Sequence, residues 1–93
     1  MLIQHKLVGT KGMFFVGQGG GILAELVYSM SSPETMVIEH TEVSDELKGQ
    51  NVGLQLVSTA VDYARDRHIK IIPLCPFAKS VIAKRPEMQD VLL

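Results

Sequence analysis

Hydrophobic residues in the first half of the chain follow a pattern that is typical of strands. Two apolar runs, residues 13–16 and 22–28, flank a glycine-rich segment at 17–21, which predicts an antiparallel hairpin with a glycine turn. A third run at 35–43 alternates apolar and polar residues, which predicts a third antiparallel strand. The alternation is predicted to place three side chains on one face of this strand: Met36, Ile38 and His40.

The hydrophobic spacing changes to that of a helix from Gly53 onward. Residues 53–68 are predicted to form about four helical turns, with an apolar stripe of Leu54, Val57, Ala60, Val61 and Ala64. The β-branched run at 69–74 predicts a short buried strand. Pro76 is then predicted to open a second helix, which ends before Pro86.

The predicted order is β, β, β, α, β, α in one domain of 93 residues, with the first dozen residues assigned to no element. A strand–helix–strand connection crosses over in a right-handed sense and makes its two strands parallel neighbours. We therefore predict an α/β fold of the mixed-sheet, α+β kind, in which antiparallel strands are followed by a β-α-β crossover and a C-terminal helix.

Composition and charge exclude several classes of partner. The net charge is −1 and aromatic residues make up only 5%, so the chain lacks the basic and aromatic pattern of a nucleic-acid binder. No apolar run approaches the ~18 residues of a membrane span, and none near the start has the form of a signal peptide. We expect a soluble cytoplasmic protein that binds neither nucleic acid nor membrane.

The loop before the first helix is the first candidate site. Its sequence, residues 47–54, has Gly49 and Gly53 on either side of a short polar turn and carries Lys48. Backbone N–H groups at a helix N-terminus are unpaired and bind phosphate groups well. The alternative is an ordinary strand-to-helix connection, because the loop matches neither the Walker pattern nor the dinucleotide fingerprint.

Cys75 and His40 are the two candidates for chemistry. Cys75 ends a predicted strand and precedes a helix, and a helix N-terminus favours the nucleophilic thiolate form. The alternative for this cysteine is a small buried residue at a strand end. His40 is either a general base that acts with the thiol or a histidine satisfied by backbone groups. One cysteine and three dispersed histidines show no ligand spacing, so we predict no metal site.

Three basic residues cluster near the end of the chain: Lys79, Lys84 and Arg85. They are candidates for contacts with phosphate groups. The alternative is an exposed helix face that contacts only solvent.

Residues 50–55, with the sequence Gln-Asn-Val-Gly-Leu-Gln, resemble the acetyl-coenzyme A (acetyl-CoA) loop of the GNAT superfamily, Gln/Arg-x-x-Gly-x-Gly/Ala. Gln50 and Gly53 match, and Gln55 departs from the small residue usual at the last position. A longer resemblance, from about Met13 onward, is to the small single-domain, YjdJ-type branch of that superfamily. It rests on five stretches of sequence: 22–28, 40–43, 63–65, 70–80 and 89–92.

This resemblance implies a truncated GNAT fold with acetyl-CoA as cosubstrate and its pyrophosphate on the amides of residues 48–54. It implies Cys75 as a catalytic residue and His40 as a second one. The cofactor-binding residues implied are Thr41, Val43, Lys48, Gly49, Gln50, Asn51, Val52, Gly53, Leu54, Pro76, Phe77, Lys79, Ser80 and Lys84.

The implied function is an N-acetyltransferase that acts on an unknown amine. Either the amine attacks acetyl-CoA directly, or Cys75 takes the acetyl group first. The alternative function is a non-catalytic CoA-binding sensor or protein-interaction module. Because the chain lacks the N-terminal helical region common in this superfamily, the acceptor site is expected to be open or completed by a homodimer or another partner.

Overall fold

Five strands pair into a single mixed sheet, in the same spatial order as along the chain. A computed structural model describes all residues 1–93. The first four strands pair antiparallel, and the fourth and fifth are parallel. The strands are β1 Gln4–Val8, β2 Lys11–Gln18, β3 Gly21–Ser32, β4 Thr35–Val43 and β5 Lys70–Pro73.

Two α-helices follow the antiparallel strands. Helix α1, Val52–Asp66, connects β4 to the parallel strand β5, and α2, Pro76–Ala83, begins directly after β5. Short 3-10 helices occupy Asp45–Leu47 and Pro86–Val91. From β2 onward the predicted order of elements is confirmed, as are the hairpin of β2 and β3 and the parallel pairing of β4 with β5.

The core lies between the helices and one face of the sheet. Alternate residues of β2, β3, β4 and β5 supply that face and are buried, and they form one cluster with the helices. These strand residues are Phe14, Val16, Ala24, Leu26, Tyr28, Met36, Ile38 and Ile71. The residues between them, such as Phe15, Val27 and Val37, are only half-buried. The sheet therefore has one covered face and one open face.

The stripe that α1 buries differs from the predicted one at its first turn. Val52 and Leu56 are buried together with Val57, Ala60, Val61 and Ala64, whereas Leu54 is only half-buried. Residues 52, 56 and 60 are spaced four apart, so they lie on one face of the helix and extend the buried stripe by one turn toward the N-terminus. Position 54 lies off this face.

A bulge in β4 changes which face its later residues occupy. Val27 pairs with His40 and Tyr28 pairs with Ile38, so Glu39 is an extra residue in β4. An extra residue inverts the side-chain alternation beyond it. The prediction that His40 shares a face with Met36 and Ile38 is therefore wrong, because His40 lies on the open face and Thr41 takes the core face.

Strand β1 was not predicted, and its side chains explain why. All five of its residues are exposed, so no apolar alternation marks the strand in the sequence. Backbone pairing with β2 defines it. No helix in the structure has the length and apolar character required to cross a membrane.

Candidate active site

Strands β4 and β5 separate halfway along β4. The last paired residues are Ile38 and Pro73. The N–H groups of Leu74 and Cys75 both donate to the carbonyl oxygen of Ile38, which ends the pairing. The second half of β4, from Glu39 onward, therefore has no β5 partner, and Cys75 lies at the point of separation.

Cys75 faces Thr41 where the two strands separate, and it is buried, with 6% of the residue exposed. Its Sγ atom lies 3.4 Å from the Thr41 hydroxyl oxygen, although the two residues are 34 positions apart in the chain. The bulge at Glu39 is the reason that Thr41 points toward the sulfur, since without it Thr41 would face the open side of the sheet. Cys75 is also the residue that precedes α2, as the sequence predicted.

The surroundings of the thiol favour its ionised form. Burial alone raises the pKa of Cys75, but hydrogen bonds from the Thr41 hydroxyl and from the backbone amides of Ala78, Phe77 and Thr41 outweigh it. The net effect is a pKa below the usual value of a thiol. The first-turn amides of α2 thus stabilise a thiolate, which is the nucleophilic form of cysteine.

The backbone amides at the start of α1 are free, whereas those of Lys48 and Gln50 in the preceding loop donate to Asp45 and Leu47. Gly49 has φ +86° and Asn51 has φ +58°, both in the left-handed region that favours glycine and asparagine. Asn51 precedes the helix, but its side chain makes no capping hydrogen bond. The N–H groups of residues 51–54 accordingly have no partner within the protein. Such a helix N-terminus attracts an anion through its partial positive charge.

Gly53 and Phe77 bring the two helix N-termini together. A Cβ atom at position 53 would lie 2.8 Å from Cζ of Phe77, so the ring packs directly on the glycine. Phe77 is 44% exposed and neighbours the amides that surround the Cys75 sulfur. Phe77 therefore links the free amides of α1 to the buried thiol.

The predicted basic contacts divide between two sides of α2. Ser80 and Lys84 are three and seven residues from Phe77 in the helix, so they lie on its side. Lys79 instead lines an apolar groove with Ile72 and Leu92 at the β5 edge. In the α1 loop, the Lys48 ammonium group lies 2.9 Å from the Asp45 carboxylate.

His40 lies on the open face, away from the thiol's side of β4. Its Nε2 atom is 3.4 Å from a Glu42 oxygen and 4.0 Å from a Glu25 oxygen. Glu25 was not singled out in the sequence, because its position opposite Glu42 depends on the register of β3 and β4. The predicted antiparallel strand at 35–43 was the only signal that could have found it.

A sequence model of the GCN5-related N-acetyl-transferase family matches residues 13–91. The chain belongs to this family. The match takes in β2 through the last 3-10 helix and therefore the whole candidate site. No curated protein sequence matches the chain significantly.

One solved structure supports membership of the GCN5-related family, and a second shares its fold. A GCN5-like protein from Staphylococcus aureus, solved by NMR, is 38% identical and superposes with a TM-score of 0.72, over 97% of this chain and 87% of that one. The ribosomal-protein-S18-alanine N-acetyltransferase from Escherichia coli superposes with a TM-score of 0.68 at 13% identity, over 86% of this chain and 54% of its own. The second match shows a shared fold alone.

One further GCN5-related structure contains acetyl-CoA. A GNAT family acetyltransferase from Elizabethkingia anophelis with acetyl-CoA bound superposes with a TM-score of 0.61 at 15% identity, over 82% of this chain and 52% of that one. The chain thus spans about half the length of the two larger enzymes. Family and fold together assign it to the small GNAT acetyltransferases.

Proposed function

We propose that the chain binds acetyl-CoA where β4 and β5 separate and transfers the acetyl group to an amine. One observation carries the proposal: free amides at the start of α1 adjoin, through Gly53 and Phe77, a thiol that is surrounded by hydrogen-bond donors. Phosphate groups and a thioester are the two ends of the same ligand. The site offers a matching group for each end.

The loop 48–54 is the proposed binding site for the pyrophosphate. The amides of residues 51–54 would donate to phosphate oxygens. Lys48 would add a positive charge once its exposed pair with Asp45 rearranges, since exposed ion pairs contribute little stability. Ser80 and Lys84 lie on the side of α2 that faces this loop and extend the contact surface.

Cys75 is proposed to carry the acetyl group between donor and acceptor. Its thiolate attacks the thioester carbonyl carbon, an S–C bond forms, and the C–S bond to coenzyme A breaks, so that coenzyme A leaves as a thiolate and takes up a proton. The amine then attacks the cysteine thioester, an N–C bond forms and the Cys75 S–C bond breaks. The proton lost by the amine returns to the Cys75 sulfur.

The direct route is the alternative for the same site. Here the amine attacks acetyl-CoA itself, and Thr41, Phe77 and Ala78 supply amides for the developing oxyanion. Intact-protein mass spectrometry separates the two routes. An acetyl adduct on wild type that disappears in Cys75→Ala supports the cysteine route, whereas transfer with no adduct supports direct attack.

Calorimetric titration with acetyl-CoA tests the proposed binding site. Gly53→Glu would place a carboxylate among the free amides, where it repels phosphate, while Ser58→Glu adds the same charge to α1 on the side of Asp62 and Arg65. We expect saturable binding by wild type and Ser58→Glu, and its loss in Gly53→Glu that remains folded by circular dichroism. If folded wild type does not bind, the proposal is wrong.

The same titration separates an enzyme from a binding module. Release of coenzyme A in the presence of an amine panel measures transfer directly. Binding with no release and no adduct would favour a CoA sensor. We propose that a second copy of the chain or another partner completes the acceptor side.

A further inference from the structure

Three side chains with metal-binding atoms converge on the open face of the sheet. They are Glu25 on β3 and His40 and Glu42 on β4, and one ligand atom of each lies within 4.8 Å of the others. Glu25 and Glu42 are direct cross-strand partners. The bulge at Glu39 adds His40 to the same face, two residues from Glu42. The group therefore results from the register of this hairpin.

The two carboxylates of this group have no lysine or arginine partner. Direct cross-strand pairs of like charge are destabilising, and the side chain of Glu25 is only 27% exposed. The only basic group within 4.0 Å of either one is the His40 imidazole. Glu39, by contrast, pairs on the same face with the Lys11 ammonium group at 2.6 Å and accepts a hydrogen bond from the Ser29 hydroxyl. The pair of Glu25 and Glu42 is thus deficient in positive charge.

We propose that Glu25, His40 and Glu42 bind one divalent transition-metal ion of the zinc type. Imidazole nitrogen and carboxylate oxygen are ordinary zinc ligands, at about 2.0–2.2 Å from the ion, so neighbouring ligands of a tetrahedral site lie about 3.3 Å apart. The distances from His40 Nε2, 3.4 and 4.0 Å, require only small side-chain movements. The ion's two charges balance the two carboxylates.

The site would keep one coordination position open. Three protein ligands leave a fourth position of a tetrahedral ion to water or to another donor. A groove of about 560 Å³ adjoins Glu25 and Glu42 and continues to Asp45 and Lys48, so solvent has free access. The imidazole ligand favours zinc, nickel or copper over magnesium. The ion would also tie β3 to β4 at the bulge.

Calorimetry with zinc chloride tests the site on EDTA-treated protein in a buffer that does not chelate metals. We expect one saturable site on wild type, no binding by His40→Gln, and affinity at least tenfold weaker in Glu25→Gln and Glu42→Gln. His68→Gln removes an exposed histidine elsewhere and should bind as wild type does. Magnesium chloride should give no saturable heat. All variants are checked for folding by circular dichroism.

Cys75→Ser is the decisive second control, because a thiol also binds zinc. The site is on the face opposite the thiol, so this variant should retain full affinity. Zinc should also shift the imidazole NMR signals of His40 and leave those of His68 unchanged. Failure of wild type to bind, retained binding in His40→Gln, or loss in Cys75→Ser would each overturn the proposal, and none of these results depends on acetyl-CoA.

Discussion

The ring of Phe77 lies against the α-carbon of Gly53, so closely that a methyl group at position 53 would come within 2.8 Å of its Cζ atom. This contact joins the first turns of α1 and α2, which supply the free amides and the thiol of the proposed site. Gly53 matches the glycine of the acetyl-CoA loop in the resemblance described above. In this chain the packing of Phe77 is a separate reason for glycine at position 53, and this reason can be tested without any ligand.

Gly53→Ala should displace the Phe77 ring and weaken acetyl-CoA binding more than it affects folding. Gly53 is the second residue of α1, so alanine gains less there than the about 1 kcal/mol it gains over glycine in a helix interior, and overpacking costs about 1–3 kcal/mol where neighbours cannot move. Because Phe77 is 44% exposed, its ring can swing away and the two effects nearly cancel. We expect little change in urea unfolding and about tenfold weaker binding, equivalent to about 1.4 kcal/mol.

A double variant identifies the cause of that weaker binding. Phe77→Ala removes the ring and with it the clash, so Gly53→Ala should have a smaller effect in the Phe77→Ala background. Gly21→Ala is the matched control, since its nearest contact would be an ordinary 3.7 Å. Equal effects of Gly53→Ala with and without the ring would show that the contact is irrelevant to binding.

Thr41→Val should raise the pKa of the Cys75 thiol. The Thr41 hydroxyl lies 3.4 Å from the sulfur and is among the groups that hold this pKa below its usual value. Without the hydroxyl the thiolate forms at higher pH. The measurement is the rate of iodoacetamide alkylation against pH, followed by mass spectrometry, and Cys75 is the only cysteine that can react.

Thr41→Ser keeps the hydroxyl and should preserve the alkylation profile of wild type. Alkylation of each protein unfolded in urea gives the reference profile, in which all variants should coincide. A Thr41→Val profile that coincides with wild type in the folded state would mean that the backbone amides of Phe77 and Ala78 set the pKa without help from Thr41.

The sequence predicts the parts of this fold that bury one face. The alternation of β2, β3 and β4 and the helical spacing of α1 all reflect burial against a common core. All five residues of β1 are exposed and the strand is defined by backbone pairing, so its side chains show no apolar alternation. The bulge at Glu39 also leaves no signal in the sequence, because the alternation of residues 35–43 is continuous until the pairing with β3 is known.

The sequence also predicts part of the candidate site. Cys75 and the α1 loop are adjacent to helix starts, which proline and glycine mark in the sequence. Their proximity to Thr41 and Phe77 is a tertiary contact that no local signal reports. Predicting the position of Lys79 at the β5 edge would have needed the orientation of α2. Predicting the approach of Glu25 to His40 would have needed the strand register.

Gly12→Ala should destabilise the fold strongly, in contrast to Gly53→Ala. A Cβ atom at position 12 would lie 2.3 Å from Cζ of Tyr28, whose side chain is fully buried. That ring has no free volume to move into, so we expect a loss of about 3 kcal/mol or more, at the upper end of overpacking effects. Urea unfolding measures the loss against Gly21→Ala, and equal stability of the two variants would contradict the prediction.

Folding stability should fall as the pH drops below about 6.5, the ordinary pKa of histidine, because of His5. The His5 Nε2 atom lies 2.6 Å from the Tyr28 hydroxyl, and its ring stacks on Phe14 at 4.2 Å. Burial raises the pKa of Tyr28 to about 12, so its hydroxyl stays protonated and donates to a neutral imidazole. Burial and the nearby positive charge of Arg67 lower the pKa of His5.

A lowered pKa in the folded state means that the unfolded chain binds more protons near pH 6, so the stability from His5 is complete above about pH 6.5 and is lost as pH falls through the folded value. Chemical unfolding between pH 7.5 and 5.5 measures this slope. His5→Phe keeps an aromatic ring on Phe14 without a titrating group, so it should flatten the slope of stability against pH, whereas His68→Gln should leave that slope unchanged. Carboxylates with lowered pKa, such as Glu39, act in the same direction only at more acidic pH. An unchanged slope in His5→Phe would show that another group causes the loss of stability.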